Sequence, residues 1–151
     1  MPLFFAKYPE DIRRRFFYAY HAYKAEKYKI ALKQFEIIGD RWMEDTCWYS
    51  LKYYNDSRSF AYSKRGEYFL LKKNLYEISI DYFKNAVRYN PNGYTYYRLG
   101  QAYMYSGIST RDLSYLQTAE ETLKRAIKSG GPAAKLAKGE LKKLRKYLAR
   151  Q

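Results

Sequence analysis

Gly93-Tyr-Thr-Tyr-Tyr-Arg-Leu-Gly100-Gln-Ala-Tyr-Met-Tyr-Ser-Gly107, followed after a short interruption by Ala119, Leu123 and Ala126, decides the fold. Tyr96, Leu99, Gly100 and Tyr103 recur at i, i+3, i+4 and i+7, the spacing of one helix face. A glycine inside such a stripe costs about 1 kcal/mol relative to alanine, so its presence points to a neighbour that must come close. Ala119, Leu123 and Ala126 form a second stripe with small residues where that approach would occur. The stretch therefore predicts two helices packed face to face, with Gly107 closing the first and Ser109-Thr110-Arg111-Asp112 capping the second.

Working outward, the same grammar returns. Asn90-Pro91-Asn92-Gly93 predicts a turn, with Gly93 free to adopt positive φ. Ser129-Gly130-Gly131-Pro132 predicts a helix stop followed by a helix start with proline in its first turn. Pro9-Glu10-Asp11 predicts another start, Gly39-Asp40 a stop, and Asn55-Asp56-Ser57 a stop joined to a cap. Period-2 β-branched runs are absent and Gly and Pro are sparse, so the class is all-α. At 151 residues, with 20 tyrosines and 8 phenylalanines, one domain can bury a sizeable core.

The stripe of Tyr96, Leu99, Gly100 and Tyr103 with Ala119, Leu123 and Ala126 resembles the tetratricopeptide (TPR) repeat, W-x₂-L-G-x₂-Y…A-x₃-F…P. Tyr62, Gly66, Phe69, Tyr76, Ser79, Phe83, Ala86 and Pro91 resemble a second copy, with Arg65 where leucine is expected and one residue inserted before Tyr76. Tyr18, Ala19, Ala22, Tyr28, Ala31, Phe35 and Ile38 resemble a third, with Arg15 at its first aromatic position. Equivalent positions Ala31 and Ser79 lie 48 apart against a 34-residue period, a surplus of about four helical turns. That surplus is either an extra helix or a long first helix broken near Asn55. The resemblance implies a right-handed helical solenoid of about seven to eight helices forming a single domain, 1–151. Its repeat-like units fall at about 10–40, 57–91 and 93–130, with an extra helix over 41–56 and an amphipathic capping helix over 132–148. Such a cap shields the flank that a terminal repeat would otherwise expose.

The resemblance further implies that the first helix of each pair lines a groove for peptides or protein partners. The positions that would face it are Arg13, Phe16, Tyr20 and Tyr23, then Glu67 and Leu70, then Tyr94, Tyr97, Gln101 and Met104. Tyrosine suits such a surface because it offers large area with a hydroxyl handle. Each of these side chains could equally belong to the core. Phe16, Ser63 and Tyr97 occupy positions where chaperone-binding members carry a carboxylate clamp, which disfavours that partner class.

Charge is the second source of information. The net charge is +14, and residues 122–151 hold 10 basic residues against Glu140 alone. In the final helix Ala133, Leu136, Ala137, Leu141, Leu144, Tyr147 and Leu148 share one face. Lys135, Lys138, Lys142, Lys143, Arg145, Lys146 and Arg150 form the candidate patch for an anionic partner. The same excess would also serve solubility alone.

Chemistry-bearing patterns are lacking. His21 is the sole histidine and Cys47 the sole cysteine, too few for a metal site, and a single cysteine suits a reducing cytosol. Gly130-Gly131 lacks the Lys-Ser/Thr of a phosphate loop. Glu120-Glu121 has the form of surface charge. No catalytic residues, metal or cofactor are expected. No run approaches the roughly 18 apolar residues of a membrane span, and Leu3-Phe4-Phe5-Ala6 is too short for a secretory leader. The expectation is a cytoplasmic, non-enzymatic scaffold or adaptor, a small basic subunit that contacts an acidic protein partner. The alternative is an RNA- or ribosome-associated protein that binds phosphates through its last helix. Peripheral membrane contact is disfavoured, since that helix lacks Trp and Phe on its apolar face.

Overall fold

Polar punctuation divides the chain into seven α-helices over the residues that the computed structural model describes, 10–44 and 51–151, with no strand among them. They are α1 (Glu10–Lys24), α2 (Tyr28–Glu44), α3 (Leu51–Glu67), α4 (Tyr76–Tyr89), α5 (Gly93–Thr110), α6 (Leu113–Ser129) and α7 (Pro132–Ala149). Each packs on its successor, and α5 also meets α7 and α3.

The pairing of α5 with α6 is built on three glycines spaced seven apart, about two helical turns. A Cβ placed on Gly93 would lie 3.0 Å from the Gly130 carbonyl oxygen, one on Gly100 2.8 Å from Leu123 Cδ2, and one on Gly107 2.7 Å from Leu116 Cδ2. The partners fall by seven as the glycines rise by seven, so the helices run antiparallel in fixed register. Gly107 therefore does not end α5. It admits Leu116, and the helix continues to Thr110, where Arg111 takes a left-handed φ of 55° and closes it. Asp112, rather than Ser109, caps α6 by accepting from the Tyr115 amide at 3.2 Å. Gly93 needs no positive φ either: it opens α5 behind a capping box in which Asn92 and Thr95 bond each other's amides at 3.0 Å. Positive φ is used at Gly130 (76°) and Gly131 (74°), which break the chain between α6 and Pro132.

The expected separate helix over 41–56 is not what forms. Residues 41–44 prolong α2 past Gly39-Asp40, and residues 51–56 open a continuous α3 that passes Asn55-Asp56-Ser57 without a stop. Residues 45–50, Cys47 among them, lie outside the described residues. The residue inserted before Tyr76 is absorbed at the end of α3, where Tyr68–Lys72 winds as a π-turn. That wider winding takes up one extra residue without breaking the helix. Arg65, where the pattern expects leucine, lies 4.4 Å from the centroid of the Tyr82 ring and donates to its hydroxyl at 2.9 Å. Phe69 stacks on the same ring at 5.5 Å and Tyr62 on Tyr89 at 5.8 Å, so α3 and α4 are joined by a cation–aromatic seam.

Two apolar clusters result. The larger runs from Leu70 and Phe83 through Leu99, Met104 and Leu123 to Leu144; the smaller gathers Ala19, Ala22, Ala31, Phe35, Ile38 and Ala61. Between them α3 buries Arg58, Ser59, Ser63 and Glu67. Among the described residues no helix is long and apolar enough to cross a membrane.

Candidate binding surfaces

The expected groove residues sit on α1, α3, α5 and the α3 π-turn, and the structure divides them. The side chain of Phe16 lies outside the described residues. Tyr20 is half-buried against His21, with Lys24 Nζ 5.5 Å from its ring centroid. Tyr94 remains exposed at 36%, whereas Leu70, Tyr97, Gln101 and Met104 are buried at 7% or less. Both faces of α5 are covered: α6 takes the glycine stripe, while α4, α7 and, more slightly, α3 lie against the rest. Leu70 and Met104 are therefore core, and Tyr97 and Gln101 belong to an interior polar chain.

That chain links three helices, α1, α3 and α5. Tyr23 of α1 donates to Glu67 Oε2 at 3.1 Å, and Lys64 reaches the same oxygen at 3.2 Å. Arg98 Nε lies 3.5 Å from Glu67 Oε1, an ion pair without a hydrogen bond, and donates to the Tyr94 hydroxyl at 3.3 Å. Arg98 also donates to Gln101 Oε1 at 2.8 Å, and Gln101 Nε2 donates to the Tyr97 and Tyr105 hydroxyls at 3.3 and 3.4 Å. Separate from that chain, Glu140 of α7 is 7% exposed; Oε1 holds Lys143 at 3.3 Å, while Oε2 has no hydrogen-bond donor among the described residues. Burial, reinforced by the Glu67 charge and hydrogen bond, pushes the Tyr23 phenol well above its ordinary range. Burial raises Tyr97 as well, against the opposing pull of Arg98. Where the sequence suggested a tyrosine-lined groove, the structure has a charged seam whose polar atoms mostly serve one another. Glu140 falls within the apolar stripe of Ala137, Leu141 and Leu144, and an acid in that register is the sequence signal of an inward carboxylate.

The second surface lies between α6 and α7. Lys138, Leu141, Lys142, Arg145 and Ala149 recur at intervals of three and four along α7, one stripe turned toward α6. With Lys146 and Ile127 of α6 they line an open cleft of about 500 Å³. Ile127, Leu141 and Ala149 make its apolar floor, and the four cations make its rim. Lys138, Lys142 and Lys146 have no carboxylate partner among the described residues. Arg145 reaches Glu120 Oε1 at 3.8 Å, which Lys124 also holds at 3.3 Å. A smaller cleft of about 340 Å³ is lined by Tyr96, Arg125, Lys128 and Ser129.

Of the expected anionic-partner patch, Lys138, Lys142, Arg145 and Lys146 thus come together. Lys135 and Arg150 are exposed outside the cleft. Lys143 is turned the other way and engaged with Glu140, whose hydrogen bond raises its pKa. Leu136, expected on the apolar face, is 51% exposed because the buried stripe is centred on Ala133, Ala137 and Leu144, leaving it at the edge. The contributions of Ile127, Arg125 and Lys128 from α6 were not evident in the sequence, since they depend on which face of α6 lies beside α7. No protein-family model and no curated protein sequence matches the chain.

Proposed function

We propose that this chain is a non-enzymatic protein-interaction adaptor, a TPR-like right-handed solenoid that holds an anionic partner in the cleft between α6 and α7. The observation that carries the proposal is the rim of that cleft: four cations converge over an apolar floor with one shared carboxylate, Glu120, to offset them. Unbalanced charge at a concave site attracts and orients an oppositely charged partner. The repeated antiparallel pairing, the contact of α5 with both α3 and α7, and the glycine register support the solenoid reading. The interior seam argues against a peptide groove along α1, α3 and α5, because Tyr97, Gln101 and Glu67 are already buried and engaged. On this reading the partner sits on the last helix pair rather than on the first-helix face.

A nucleic-acid reading draws on the smaller cleft, which Tyr96 lines together with Arg125 and Lys128. Affinity purification at low salt, with and without nuclease, separates the two. Protein partners should survive nuclease and be lost when Lys138, Lys142, Arg145 and Lys146 are all changed to Gln. Recovery of nucleic acid alone, abolished by nuclease, would sink the adaptor reading.

A further inference from the structure

We infer that the occupant of the α6–α7 cleft is a single acidic amphipathic helix of a protein partner, about three turns long; this rests on the adaptor reading above. The length follows from the lining. Lys138 to Ala149 covers 12 residues of α7, about 17 Å at the helical rise, which matches a helix of about 12 residues laid alongside.

The chemistry follows from how floor and rim are arranged. Ile127 and Ala149, beside the edge of the largely buried Leu141, are methyl-bearing surfaces that gain only from apolar side chains leaving water. A phosphate backbone would use the rim and leave that floor unmatched. The rim cations stand at the edges of the floor, where the acidic flanks of a helix with an apolar i, i+3/i+4, i+7 stripe would fall. An extended peptide has no sheet edge to join among the described residues, which contain no strand. Glu120 draws on Arg145 from the α6 side, so the most negative flank of the incoming helix should lie toward Lys138, Lys142 and Lys146, which lack carboxylate partners.

The test is a selection of displayed random 16-residue peptides on the full chain, counter-selected on the variant with Lys138, Lys142, Arg145 and Lys146 all changed to Gln. These side chains are exposed, and circular dichroism establishes that the variant keeps its helices. Enriched peptides should carry Asp and Glu around apolar residues at helical spacing. In fluorescence anisotropy they should lose at least tenfold in affinity on the Gln variant. They should lose as much when their apolar stripe is changed to Ser. A 15-nucleotide single-stranded RNA, measured in parallel, should bind more weakly than the peptides at physiological salt. Enriched peptides without acidic residues, or ones unaffected by the change to Ser, would overturn the acidic-helix inference. RNA binding tighter than any peptide and lost on the Gln variant would overturn that inference and the adaptor reading, leaving only an anionic partner. Absence of binding by both probes would overturn the basic cleft as a partner site altogether.

Discussion

Replacing Gly100 by alanine sets two effects of opposite sign against each other. In an exposed helix the change gains about 1 kcal/mol, because glycine loses more backbone freedom on folding. At Gly100 the new Cβ would stand 2.8 Å from both Cδ2 and Cγ of Leu123 and 3.2 Å from its backbone nitrogen. Leu123 is fully buried, so its side chain has no water-facing direction in which to yield, and the nitrogen moves only if α5 and α6 separate. Overpacking of this kind costs about 1–3 kcal/mol. The upper part of that range applies because branch carbon and backbone are both too close, leaving a net loss of about 2 kcal/mol. For a domain of this size that lowers Tm by roughly 4–8 °C, at about 2–4 °C per kcal/mol. Gly139 provides the matched control: it is exposed on α7 and its added Cβ meets nothing within 4 Å. Gly139→Ala should raise stability by about 0.5–1 kcal/mol. Urea unfolding followed by circular dichroism reads both. If Gly100→Ala stabilises as Gly139→Ala does, close helix approach is not what the glycine serves, and the register argument fails with it.

Three further outcomes follow from the interior seam and the cleft. Glu67→Gln should destabilise by about 2–3 kcal/mol in urea unfolding, somewhat under the usual cost of breaking a buried ion pair because Lys64 and Arg98 keep some contact with water. The Tyr23 contribution to stability should be constant below the unfolded tyrosine range near 10 and be lost as pH rises past it, since the unfolded phenol ionises there while the folded Tyr23 stays protonated. Tyr23→Phe should reduce that alkaline slope in pH-dependent melting curves, with Tyr97 left to contribute the remainder, and an unchanged slope would remove Tyr23 from the account. Glu120→Gln releases Arg145 and Lys124, and should tighten binding of an acidic peptide by about twofold to fivefold, in line with the sub-kcal/mol worth of exposed pairs; unaltered affinity by anisotropy would show that Glu120 does not compete for the rim.

Local pattern sufficed for much of the fold. The periodicity of Tyr96 to Tyr103, the Asn92 cap and the Gly130-Gly131-Pro132 break are written within a few residues of where they act, so helices α4 to α7 were legible at nearly their observed lengths. Where stop signals failed, at Gly39-Asp40, Asn55-Asp56-Ser57 and Gly107, a helix had more to gain by continuing. At Gly107 the gain is visible, since the missing Cβ makes room for Leu116.

The clustering of charge in the final helix, and the identity of the side chains that could meet an anion, belong to the sequence alone. Which of them converge does not. Lys143 and Lys142 are neighbours in the chain, yet one is turned to the buried Glu140 and the other to the open cleft, because successive residues point about 100° apart and only packing decides which direction is inside. Tyr97, Gln101 and Met104 likewise share a stripe that reads as a surface until α4, α7 and α3 pack around α5. Periodicity says which residues share a face, whereas burial depends on which neighbour covers that face, and that information resides in segments tens of residues away.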